Sequence, residues 1–336
     1  AEAFRVSKGK GGETMRQRNP SIDILKFFAA LLITNSHMGM LYPDSLVKLS
    51  TGGAIGDVLF FFCSGFTLFL GRGGDFFNWY KRRINRIYPT VLMWAVIMAF
   101  VFQTRFGMDF TILHGGGWFV SCIMIYYVFL YFIKRYFVNQ LKWVFAAVCL
   151  IVLGWYFTED SSTIFMYGAT YFKWCHYFLF MLAGAVCGLR MKEKGNVVGS
   201  AKGNLGLLFV SLIFFYGLQM AGTKNALIAH FQVLTLIPLM GITLSMYRLC
   251  CKEGLIKLYE KKWVHRIVYS VSALCLEIYV CQGFVFNTSW NHLFPLNILM
   301  NFVLIVAMAY IVKVSSNWFS QTFKDGEYDW KKMVKL

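Results

Sequence analysis

Apolar runs of roughly 20 residues, the length that crosses the hydrocarbon core of a bilayer, recur along nearly the whole chain and are separated by short polar loops. They fall at about 22–40, 55–71, 88–105, 118–133, 143–158, 174–189, 204–221, 226–247, 267–286 and 296–315. Such a pattern predicts an all-α polytopic membrane protein with about ten transmembrane helices and no soluble catalytic domain. Composition agrees. The chain is 58% hydrophobic and 15% charged, where a soluble domain carries about 25% charged residues.

Divided at those spans, with Arg105 and Lys313 at the ends of the third and tenth counted with the loops that follow, Lys and Arg number 5, 5, 3, 4, 6 and 5 in the odd-numbered segments and 1, 1, 1, 1 and 0 in the even-numbered ones, with Lys26 inside the first span. Cytoplasmic loops keep their basic residues, so both termini are expected inside. The net charge of +17 is then topology plus attraction to anionic lipid. No groove-reading helix or basic soluble face points to nucleic acid. The expected organisation is a cytoplasmic segment over 1–20, a membrane domain over 21–316 and a cytoplasmic tail over 317–336. Met15 is a candidate natural start, which would make residues 1–14 foreign to the protein. Residues 1–20 lack an apolar signal-peptide core, so the first span is expected to act as its own targeting signal. The nine cysteines show no metal-type spacing and are read as small buried residues, with no metal and no disulfide framework expected.

Ionisable groups at membrane depth are costly and face protein or a wet cavity. The first span carries Asp23, Lys26 and His37. Asp23 and Lys26, three apart, can pair. His37 lies eleven residues beyond Lys26, about three helical turns and about 16 Å, so the two share a face. Two readings stand at this point: a cation and a titratable imidazole on one functional stripe, or a snorkelling lysine and a histidine satisfied by a neighbouring helix. Before the third span, Lys81, Arg82, Arg83 and Arg86 form a basic cluster in which at least two guanidiniums can share a helix face. Charge alone fits a polyphosphate site or a lipid anchor equally.

These residues resemble acyltransferase family 3, the bacterial membrane-bound O-acyltransferases. Asp23-Ile24-Leu25-Lys26, ten residues and His37 are similar to its first-helix signature. Phe61-Phe62-Cys63-Ser64-Gly65-Phe66 resembles its second-helix motif, and Arg83-Ile84-Asn85-Arg86-Ile87-Tyr88-Pro89 its paired-arginine motif. Trp118-Phe119, Phe180-Met181-Leu182-Ala183-Gly184 and Leu276-Glu277-Ile278-Tyr279 follow in family order, and the resemblance covers roughly residues 18–315. Two positions depart from it. Lys26 stands where the best-known branch has arginine, keeping the charge without the planar fork. Gln282 stands where many members have histidine.

The resemblance implies transfer of an acyl group, most often acetyl, from cytoplasmic acyl-CoA to a hydroxyl of an envelope glycan or lipid-linked saccharide, at a bacterial inner membrane. His37 would be the base or acyl carrier, and Arg83, Arg86, Arg82 and Lys26 the donor phosphate ligands. Ser64 is a candidate channel residue or a plain packing residue. His114, beside three glycines and Trp118, is a candidate for acceptor binding. His176, Glu277 and Tyr279 are structural or acceptor-side candidates. The rival class is a secondary transporter or flippase for a small amino acid or lipid-linked sugar. It calls for paired Gly/Pro-interrupted helices in two related halves. Five prolines and no visible internal repeat give it little support.

Overall fold

The computed structural model describes residues 19–103, 117–195, 198–324 and 326–336. The protein is all-helical, 80% helix, with no strand among the described residues. The principal helices are α1 (Pro20–His37), α2 (Gly53–Leu70), α3 (Phe76–Phe100), α4 (Trp118–Tyr136), α5 (Leu141–Tyr156) and α6 (Lys173–Lys194). They continue with α7 (Ala201–Gly222), α8 (Leu236–Cys250), α9 (Glu253–Glu260), α10 (Lys262–Ala273), α11 (Cys275–Cys281) and α12 (Leu296–Gln321).

Local chemistry sets the helix starts. Asn19 precedes Pro20, whose fixed φ suits a first helical position, and Asn19 Oδ1 accepts from the Ser21 backbone N–H (3.0 Å). Asp75 caps α3 by accepting from the Asn78 N–H (3.0 Å), and these bonds hold its carboxyl below the usual carboxylate range. Ser200 caps α7 through the Gly203 N–H (3.0 Å).

Each expected span overlaps a helix or, at 267–286, the pair α10 and α11 broken at Leu274, but the helix at 226–247 is interrupted and α8 begins only at Leu236. Seven helical segments among the described residues are long and apolar enough to cross a membrane, or eight with that bent pair. The remaining two expected spans, α1 and α3, do not meet the same measure. Their polar residues are the cause: Asp23, Lys26, Asn35, Ser36 and His37 in α1, and Arg82, Arg83, Asn85 and Arg86 in α3. On α5 and α7, Leu150, Ile151, Phe209, Ile213 and Phe214 are more than half exposed. Only a lipid surround suits so much bare apolar surface. One boundary needs correction. The last expected span ends at 315, but α12 continues to Gln321, so Lys313, counted among the five basic residues of the last segment, lies well inside the helix and the tail keeps four.

The chain divides into two compact units. Of the described residues, the first comprises those within Ala1–Phe27, Asp57–Gly71 and Asn139–Tyr269; the second, those within Phe28–Gly56, Arg72–Val138 and Ser270–Leu336. In the first, α2 and α6 cross so closely that glycine is required: a Cβ on Gly65 would fall within the Met181 carbonyl, and one on Gly184 within the Phe62 carbonyl. Tyr247 of α8 packs its ring on Phe62 and Phe66 (centroids 5.2 and 5.6 Å). In the second unit α3 packs along α12, and Trp79 of α3 sits against Tyr127 and Tyr131 of α4.

Candidate functional site

The sequence candidates fall in both units, and the second holds the larger set. There His37 is the last residue of α1, and it is exposed. The expected span ran on to residue 40, but Asn35 and Ser36 offer side-chain hydrogen bonds that compete with the helix. The Ser36 hydroxyl donates to the Ile33 carbonyl (2.7 Å). Asn35 Nδ2 donates to the Leu49 and Thr51 carbonyls (2.8 and 2.9 Å), and its Oδ1 accepts from the Tyr42 hydroxyl (2.6 Å).

The segment after His37 is pinned as well. Asn291 Nδ2 donates to the Met40 carbonyl (2.9 Å) and Asn297 Nδ2 to the Leu41 carbonyl (2.8 Å). Below His37, the Thr34 hydroxyl donates to Gln282 Oε1 (3.0 Å) in a buried bond. An exposed imidazole is thus carried on a backbone fixed on both sides, which is what positioned acid–base or nucleophilic chemistry requires.

The arginines of α3 have different surroundings. Arg82 is exposed and donates from Nη2 to the Gly73 carbonyl (2.9 Å). Arg86 is exposed. Arg83 is half-buried with its guanidinium over the Trp79 ring, 5.0 Å from the centroid. Arg83 Nε and Trp79 Nε1 are both buried without a hydrogen-bond partner among the described residues. Burial desolvates the Arg83 guanidinium, and the like charges of Arg86 and Arg82 lie within electrostatic reach of it. An arginine remains charged at neutral pH regardless. What stands here is a desolvated guanidinium with donor capacity to spare, set on an aromatic wall. Trp79, at a span end where an interfacial aromatic belt collects, stands four residues before Arg83, which places the two on one helix face.

Two further candidates meet in this unit. The Tyr279 hydroxyl accepts from the Phe119 backbone N–H (3.4 Å), serving one of the open donors at the start of α4 beside Trp118. Glu277 is buried and accepts from the Thr90 hydroxyl (3.0 Å), and it pairs with Lys313 (3.2 Å). Lys313 and Thr90 were not sequence candidates.

In the first unit, Asp23 is buried and its Oδ2 accepts from the Tyr259 hydroxyl (3.0 Å). Asp23 and half-buried Lys26 both lie within electrostatic reach of Cys63 on α2. Ser64 is half-buried next to the tightly packed Gly65. His176 is fully buried, bonded from Nε2 to the Met166 carbonyl (3.0 Å) and ringed by Tyr167, Phe172 and Tyr177. Since a carbonyl only accepts, Nε2 carries the proton, and the unpartnered Nδ1 bears the lone pair. His114 lies outside the described residues.

A family model of the acyltransferase domain matches residues 19–317, a stretch that takes in every candidate above. The chain belongs to acyltransferase family 3. No protein of curated function and no solved structure matches it. A member of acyltransferase family 3 with this many apolar helices is a multi-pass membrane acyltransferase.

Proposed function

We infer that this acyltransferase moves an acyl group, acetyl in the simplest case, from cytoplasmic acyl-CoA to a hydroxyl of an envelope carbohydrate across a bacterial inner membrane. The observation that carries this reading is the pairing, within one unit, of an exposed and firmly held imidazole at His37 with a partly desolvated arginine at Arg83 that has an unused buried donor. Family membership favours acyl transfer over the transporter reading.

Arg83 and Arg86, with Arg82, would hold the donor phosphates through charge-assisted bonds. Lys26 is a further candidate on sequence grounds. A thioester is already activated, so the chain's task is to position it and manage one proton. Histidine has an unperturbed pKa of about 6.5, close to operating pH. As base, the His37 imidazole takes the acceptor hydroxyl proton while that oxygen attacks the thioester carbonyl. Collapse expels the thiolate, which recovers the proton. As acyl carrier, the imidazole nitrogen attacks first and its proton goes to the leaving thiolate. The acceptor hydroxyl then attacks the acyl-imidazole and returns a proton to the ring.

Purified protein given acetyl-CoA labelled in the acetyl group, with an envelope lipid and glycan extract, should release free thiol and carry label into the extract. An intact thioester would refute the reading. The alternating basic loops support ten crossings, α1 and α3 included, with both ends in the cytoplasm. A reporter fused after Leu336 that works only in the cytoplasm should be active, and one that works only outside the inner membrane should be silent. The opposite pair of results would invert the topology.

A further inference from the structure

A polar line runs through the interior of the second unit. Arg86 and Thr90 are one turn apart on α3 and share a face. The Thr90 hydroxyl donates to Glu277 Oε1 (3.0 Å) and lies 3.2 Å from the Ser316 hydroxyl. Lys313, one turn from Ser316 on the same face of α12, pairs with the same Glu277 oxygen (3.2 Å). Five residues beyond Glu277, Gln282 accepts from Thr34, which is three residues before His37. The line thus consists of two bonded groups in otherwise apolar helices, Thr90, Glu277, Lys313 and Ser316 one turn along α3 from Arg86, and Thr34 with Gln282 one turn along α1 from His37.

Within that line Lys313 is different in kind. The Glu277 side chain is 2% exposed, but that of Lys313 is 23% exposed. Its ammonium has three N–H donors, and among the described residues Glu277 is its partner. Desolvation of both ions offsets most of the stability such a pair gives. A charge held inside a long apolar helix is a candidate functional position.

Resting on the acyl-CoA reading above, we propose that Lys313 is a donor-binding residue, held by Glu277, whose free N–H groups bind the amide carbonyls of the pantetheine arm between the arginine cluster and His37. The arm is neutral and amide-bearing, and would otherwise cross this region with its carbonyls unsatisfied. Glu277 then acts as a positioning residue that fixes the ammonium and balances its charge.

Two probes separate the parts: acetyl-CoA, which has the arm, and adenosine 3′,5′-bisphosphate, which has only nucleotide and phosphates. Binding is measured by calorimetry on the full-length protein in detergent. Lys313→Met should weaken acetyl-CoA about tenfold, the loss of a charge-assisted bond, and leave the bisphosphate unchanged. Arg86→Gln should weaken both. Should Lys313→Met fold poorly, the double variant Glu277→Gln/Lys313→Met removes both charges and should show the same selective loss. Equal weakening of both probes, or of neither, in the folded variant overturns the role of Lys313 while leaving the donor reading standing. Failure of the wild-type protein to bind either probe overturns the donor reading and this proposal together.

Discussion

Replacing His37 with alanine should lower acyl transfer by at least a hundredfold, the usual scale for losing a positioned base, without unfolding the protein. The ring is exposed at the end of α1, so its removal opens no core cavity. Neither Thr34, Asn35 nor the asparagines that pin Met40 and Leu41 bond to it, and the frame stays intact. His176 does not replace it: it is buried among aromatic rings and bonded to the Met166 carbonyl. The measurement is transfer from labelled acetyl-CoA alongside thermal unfolding in detergent. Wild-type transfer by a folded His37→Ala protein removes His37 from the mechanism. His37→Gln separates the chemistry further, since an amide can hydrogen-bond but can neither accept a proton near neutral pH nor carry an acyl group.

The second large effect is expected at the arginines. If Arg83 and Arg86 hold the donor phosphates, Arg83→Gln or Arg86→Gln should raise the apparent KM for acyl-CoA about tenfold or more. Lysine should rescue the two positions unequally. At exposed Arg86 a lysine keeps the charge and should restore part of the affinity. At Arg83 the flat guanidinium lies on Trp79 and its Nε is buried. A lysine there loses both the stacking and the fork, and should behave much like glutamine. A lipid anchor would act otherwise: lysine would substitute fully at both positions and donor affinity would not move. Acyl-CoA binding to the four variants, with folding checked for each, decides between the two.

Much of the architecture was legible in the chain because a bilayer imposes one-dimensional rules. A span needs about 20 apolar residues and its backbone bonds are internal to the helix, so the apolar helices could be located without knowing what packs on what. The same logic exposed His37 and the Arg82, Arg83 and Arg86 cluster, since charge at or near membrane depth stands out against leucine and phenylalanine.

Pairing was not legible, because it joins residues far apart in sequence. Asp23 meets Tyr259, 236 residues away, and Thr90 meets Glu277, 187 residues away. Lys313, near the end of the last expected span, counted with the basic residues that follow it, and its pairing with Glu277 emerged only from the fold. The family-like glycines Gly65 and Gly184 could be read from the sequence, but the carbonyls that exclude a side chain at each belong to another helix. The sequence by itself determined which residues are apolar enough to cross and which charges are out of place. The tertiary structure decided which of those charges are neutralised, which keep donors open, and how firmly the backbone around His37 is held. Apolar length is a property of one segment; the state of a buried charge depends on whatever group the fold places beside it.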